Sequence, residues 1–197
     1  MSQCPRGNPR NITHDGLVHN YAQMFREAGF ITRTEPRNEF THMDDSAKRP
    51  DLLVYNSKGG RACFDISVTH PACLHYAQGT IPAPGQAASN REQQKYDKYK
   101  ELASNAGMSF YPLVHEAYGR VGISSHRIIK TCAAKISTLR RCHEGNVLHY
   151  WRTRLSLALH ISQARAVHER FRDSQLTTYA GPDESSRLNY NMFAQTN

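Results

Sequence analysis

A chain of 197 residues is long enough for one domain with a real apolar core, or for one domain with an appendage. It carries 25 Lys and Arg against 17 Asp and Glu, a formal charge of +8, a pI near 9.4 and a mean hydropathy of -0.67. No apolar run approaches 18 residues, which excludes a helix that spans a membrane. The positive balance fits either a solvated basic surface or a polyanionic partner, because phosphate backbones are attracted without any base contact. A ribosome-associated or membrane-surface protein would carry the same balance.

Cysteines fall at positions 4, 63, 73, 132 and 142, with no CxxC pair. An odd, scattered set points to reduced thiols and an intracellular protein. Cys132, Cys142 and His143 give only a weak metal signal. The first residues, MSQCPRGNPRN, hold no apolar stretch of the secretory kind, so no signal peptide is expected.

Residues 1–12 are rich in Pro, Gly and Asn and read as flexible. Leu17, Tyr21, Met24, Phe25 and Ala28 then recur at helical spacing, with Thr13 and Asp15 as a start and Gly29 as a stop. Phe30 to Thr34 reads as a strand that ends near Glu35 and Pro36, and residues 37–49 as a polar loop. A short strand covers Asp51 to Tyr55, and Gly59-Gly60 permits a tight reversal. From Arg61 to Thr69 the chain alternates, with Ala62, Phe64, Ile66 and Val68 on one face and Cys63, Asp65, Ser67 and Thr69 on the other. A long loop follows Pro71. A helix is expected over about 87–106, with Tyr96, Tyr99, Leu102 and Ala103 in its apolar stripe. Met108 to Val114 is a strand in which Pro112 marks a bulge or an edge. Two basic helical stretches close the chain, about 124–141 and 147–172, parted near Gly145-Asn146. This order predicts an α/β fold with a mixed central sheet flanked by helices.

Two carboxylates sit where a core strand would not ordinarily want them. A hairpin through Gly59-Gly60 brings Asp51 beside Asp65 if the register allows. Close carboxylates repel unless a cation or a proton sits between them. Mg²⁺ takes oxygen ligands and binds phosphates, so the pair suits a rigidly held ion of that kind, with Mn²⁺ as an alternative. The plainer readings stand beside this: Asp51 as a strand-start residue after Pro50, and Asp65 as a carboxylate paired with Arg61 or Lys58. Glu35 is a third candidate acid, and Asp44 or Asp45 could reach an ion from the loop. Lys95 borders the buried stripe of its helix, where it could orient a water or offset phosphate charge, or simply extend to solvent.

The ordered set resembles the PD-(D/E)xK, restriction-endonuclease-like superfamily. The matching residues are Pro50-Asp51 and Asp65-Ile66-Ser67. It is closest in pattern to the endonuclease domains at the ends of some eukaryotic retroelement reverse transcriptases. The wider similarity rests on Thr13-His14-Asp15, Arg49-Pro50-Asp51, Phe64-Asp65-Ile66-Ser67-Val68 with His70-Pro71, Lys95 with Lys98-Tyr99, and Phe110 to Val114 running on to Glu116 and Gly119. The resemblance implies a restriction-endonuclease-like core over 13–122, a basic helical extension over 123–173 and a polar tail over 174–197. It implies Asp51, Asp65 and Glu35 as metal ligands, Lys95 as a catalytic group, and Mg²⁺-dependent hydrolysis of DNA. Asp15 or Glu27 of the first helix could replace Glu35. The pattern departs at Ser67, which stands where the superfamily usually has its lysine. Either Lys95 has taken that role, or the fold has lost catalysis and serves as a nucleic-acid-binding or structural protein. Arg33, Lys48, Arg49, Arg61 and Lys98 are the candidate DNA contacts, with Arg120, Arg127, Lys130, Arg140 and Arg141 as a second basic group. A homodimer is expected if both strands are cut.

Overall fold

The structure is a computed structural model that describes residues 9–37, 39, 49–71 and 83–179. Four strands, β1 (Ile31–Thr34), β2 (Leu52–Tyr55), β3 (Arg61–Thr69) and β4 (Ser109–Glu116), form one sheet in that order. The described helices are α1 (Pro9–Glu27), α2 (Gln86–Asn105), α3 (Ile123–Arg140) and α4 (Glu144–Tyr179). The fold is therefore α/β, with a mixed sheet. β1 and β2 run antiparallel, as do β2 and β3, while β3 and β4 are parallel and joined through the crossover helix α2.

α1 starts at Pro9, ahead of the Thr13 start that the sequence suggested, and Thr13 lies buried within it. Proline lacks the N–H that a first helical turn leaves unpaired, so the helix tolerates it there. Gly29 ends α1 with a left-handed φ of 82°, and the Phe30 N–H returns to the Phe25 carbonyl at 3.0 Å. Between β2 and β3, Gly59 supplies a φ of 81°, and Asn56 Oδ1 accepts from the Lys58 and Gly60 N–H groups at 2.9 and 2.8 Å.

The alternation of β3 divides the protein into two unequal layers. Phe64 and Ile66, with Leu52 and Val54, join the large core made with α1, α3 and α4, in which Trp151 is fully buried. Cys63 faces the other way, with Leu53 and Phe110, against Tyr99 and Ala103 of α2 and Met108. α3 and α4 thus share one core with α1. α4 continues to Tyr179, past the expected start of the polar tail. No helix among the described residues is long and apolar enough to cross a membrane.

Pro112 lies on edge strand β4. The outward N–H of Val114 is taken by Ser125 Oγ at 2.7 Å and that of Glu116 by the Arg120 carbonyl at 2.8 Å. At position 112, two residues earlier on the same side, proline has no donor to offer, so this edge is closed to strand pairing. Two buried or half-buried acids fix the helix starts. Glu116 Oε1 accepts from the Ala88 N–H at 3.2 Å, and Glu92 Oε1 from the Ser124 N–H at 2.9 Å. Each carboxylate meets unpaired N–H groups at the positive end of a helix.

Candidate active site: a row of acids across the sheet

The site follows from strand register. Leu52 pairs with Phe64, and the Asp51 N–H just ahead of β2 also donates to the Phe64 carbonyl, at 3.0 Å, which sets Asp51 beside the Phe64-Asp65 stretch of β3. Thr34 pairs with Leu52, so Glu35 stands opposite Asp51, and the Glu35 N–H donates to the Asp51 carbonyl at 2.8 Å. Asp65 pairs with Pro112 on β4. Glu35, Asp51 and Asp65 therefore occupy one row across three neighbouring strands.

Their side chains do not share one environment. Asp65 is only 3 % exposed and points towards α2, where Lys95 Nζ donates to its Oδ1 at 2.9 Å. The same ammonium lies 2.6 Å from Oδ2, but off the hydrogen-bonding direction, so Oδ2 has charge contact without a directed donor. Ser67 Oγ, two residues on along the same face, is likewise buried without a hydrogen-bond partner. Burial raises the pKa of Asp65 above the ordinary carboxylate value, and repulsion from Asp51 adds to the rise; Lys95 and Arg91 oppose it. Arg91, Lys95 and Tyr99 follow one another at four-residue spacing along α2, and their mutual electrostatics with Asp65 place this helical face over the acid. Tyr99 is held un-ionised above its ordinary value, first by burial and then by the charges of Asp65 and Asp51.

Asp51 is held differently. β2 begins only at Leu52, so the Ile66 N–H has no strand partner there, and Asp51 Oδ2 accepts it at 2.6 Å. The same oxygen meets His14 Nε2 of α1 at 3.1 Å, while His14 Nδ1 meets Asp15 at 3.1 Å. The bond to Asp51, against the opposing cost of burial, raises the imidazole from 6.5 to about 9, so it is cationic at neutral pH. Each central carboxylate thus has its own cation, Lys95 for Asp65 and His14 for Asp51.

Glu35 is not drawn into these contacts. Its backbone turns left-handed, with a φ of 44°, and its half-exposed side chain lies 3.6 Å from Arg49. Strand alternation stops at such a residue, so register alone does not aim its carboxylate. Among the described residues, no group of three or more His, Cys, Asp or Glu side chains gathers as a metal site. The oxygen donors of Asp51 and Asp65, with Oδ2 of Asp65 lacking a directed donor, suit a hard divalent ion as a two-carboxylate pair.

The basic candidates are spread out. Arg49 lies on Glu35, and Arg33 Nη1 pairs with Glu39 at 3.1 Å. Lys98 is exposed on α2, 5.0 Å over the Tyr99 ring. Arg61 begins β3, about 13 Å along the strand from Asp65, and donates to the Ala106 carbonyl at 2.6 Å. Lys48, Asp44 and Asp45 lie outside the described residues. A groove of about 730 Å³ along the β4 edge is lined by Tyr96, Lys100, Phe110, Tyr111 and Arg127, among others. It contains neither Asp51 nor Asp65.

Sequence reasoning named His14 only within the Thr13-His14-Asp15 element, without a role, and did not single out Arg91. Arg91 was open to detection, being one helical turn before Lys95. His14 reaches Asp51 across 37 positions, a distance no local pattern encodes.

No protein-family model matches the chain. Over 121 residues, 57 % of its length, the chain is 35 % identical to the retrotransposable element SLACS 132 kDa protein of Trypanosoma brucei gambiense. The match covers 10 % of that protein's length. The likeness is weak and partial, and it supports an association with retroelement proteins.

Proposed function

We propose that this chain is a metal-dependent endonuclease of the restriction-endonuclease-like kind, acting on DNA phosphodiesters. The observation that carries this reading is the row itself: Asp51 and Asp65 side by side on neighbouring strands, with Lys95 reaching Asp65 from the crossover helix. The order of helix, three strands, helix and strand supports it, as does the partial likeness to a retroelement protein.

Asp51 and Asp65 would hold a Mg²⁺ or Mn²⁺ ion, and Glu35 could join only by leaving Arg49. Such an ion, when bound, neutralises charge developing on the phosphate and makes water more acidic. The chain's own groups do the rest. The Ile66 N–H and His14 fix the direction of Asp51. Lys95 holds Asp65 and offers an ammonium to a phosphate oxygen or an attacking water. Arg49 and Lys98 are exposed cations for flanking phosphates, and Arg61 serves the far end of the sheet. Cutting both strands would call on two copies.

Ser67 favours a second reading. It is buried, without a partner, at the position where the superfamily usually has its lysine, as a fold that has lost catalysis and only binds nucleic acid would have it. Cleavage of a supercoiled plasmid with Mg²⁺ or Mn²⁺ separates the two. The expected result is cutting by the wild type, reduced at least about 10³-fold in Asp65→Ala while DNA binding survives. A wild type that binds DNA but cuts with neither ion establishes the second reading.

A further inference from the structure

α4 has two apolar sides. One carries Val147, Trp151, Leu155 and Leu159 into the core. The other carries Tyr150, Leu157, Ile161 and Val167, between 48 % and 65 % exposed. The steps of seven and four from Tyr150 to Leu157 to Ile161 keep these three on one line, with exposed Ala164 beside it and Val167 about a quarter turn away. A solvated helix back would carry charges here. The line instead presents on the order of 400 Å² of mainly apolar side chain, within the size of patch that commonly marks an interaction site on a single chain.

Its charged border is basic, made by Arg165 and Arg172 on one side. His149 and His160 flank it on the other, and His168 lies within it; all are exposed. Among the described side chains, the carboxylates of α4 are Glu144 and Glu169. Helical spacing turns both towards the buried side. Arg154, next to the line, is already committed to Asn20 and Gln23 of α1 at 2.8 and 2.6 Å.

We infer that the outer face of α4 is a docking surface for an amphipathic helix of a partner protein, with an apolar spine and acidic borders. Leucine-sized side chains at four- and seven-residue spacing would seat between Tyr150, Leu157 and Ile161, as ridges of one helix enter grooves of another. Acidic residues beside that spine would meet Arg165 and Arg172. A second copy of this chain fits poorly, because a two-fold pairing of α4 with itself would set one basic border against another.

The test uses the full chain and two synthetic helices with the same leucine spine, one bordered by glutamate and one by lysine. Fluorescence anisotropy at low salt should give the glutamate helix at least tenfold tighter binding than the lysine helix. Leu157→Ser with Ile161→Ser should weaken it at least tenfold while the thermal melt stays unchanged. Arg165→Glu should weaken the glutamate helix and strengthen the lysine helix. Equal binding of the two helices, or no saturable binding of either, overturns the proposal. So does self-association lost in the serine variant, or binding to phosphatidylserine vesicles through the same residues without binding of the helix.

Discussion

The two faces of the sheet differ in what they bury. Among the described residues, twenty buried side chains from α1, α3, α4 and the strands form a single core on one side; on the other, six pack together, Tyr99 and Ala103 of α2 among them. The larger layer is mainly apolar, and the polar groups it buries, Thr13, His115, Ser125 and Ser162, include no carboxylate. The smaller one takes in Asp65 and Ser67, with Lys95 and Tyr99 above them. The rigid layer can hold strand register tightly enough for the thin layer to keep a charged pair in low-dielectric surroundings. The apolar side supplies stability, and the α2 side holds polar groups at a cost.

The sharpest way to break that division is at Trp151. It is fully buried, lies edge-on to Tyr150 at 5.4 Å and under the Arg154 guanidinium at 5.2 Å. Trp151→Ala should cost about 3–5 kcal/mol, read as a fall in the urea midpoint. Trp151→Phe should cost much less, because the buried Nε1 has no hydrogen-bond partner to lose.

The α2 side should answer differently. Lys95→Met leaves the Asp65 carboxylate buried without its main cation and without that hydrogen bond, and should cost about 1.5–3 kcal/mol. Adding Asp65→Asn should restore most of that loss, since removing both charges removes the unpaired one. A double-mutant cycle by chemical denaturation checks it. Additive losses would mean that the pair is not coupled and that the short Lys95–Asp65 contact is incidental.

A buried histidine provides a pH test of the large layer. His115 is 1 % exposed, bonds to the Tyr21 hydroxyl at 2.8 Å, and burial lowers its pKa from 6.5 to about 4. Above pH 6.5 it is neutral in both folded and unfolded chains. As pH falls below 6.5 the unfolded chain takes up a proton that the folded chain refuses until near 4, so stability falls across that window. The expected loss is about 1–2 kcal/mol between pH 6.5 and 5, absent in His115→Gln. Urea midpoints at the two pH values measure it.

Much of this was legible locally. The alternation of β3 and the turn at Gly59 are short-range patterns that appear as read; of the α2 stripe, Tyr99 and Ala103 are buried while Tyr96 is exposed. The adjacency of Asp51 and Asp65 was legible for the same reason: one tight hairpin joins them, and its register follows from which residues face the core. Contacts between distant segments were not legible. His14 on Asp51, Glu116 at the start of α2 and Glu92 at the start of α3 each join elements whose docking depends on the whole fold. The left-handed turn at Glu35 was equally hidden, because a glutamate carries no signal for a positive φ. The exposed apolar line of α4 was hidden among the arginines around it.

The smallest expected effect lies at the far end of the thin layer. Arg61 is exposed, yet its guanidinium donates to the carbonyl of Ala106, which caps the C-terminus of α2. A cation there pairs with the negative end of the helix dipole and satisfies a carbonyl that the helix leaves open. Arg61→Ala should cost about 0.3–1 kcal/mol, and Arg61→Lys should recover part of it. Because α2 is the described helix that covers the Asp65 face, loosening its end should also increase hydrogen exchange along 102–106 while leaving the α1, α3 and α4 layer unchanged. Equal loosening of both layers would mean that the two faces unfold as one unit, and that the difference between them is one of composition without a difference in local stability.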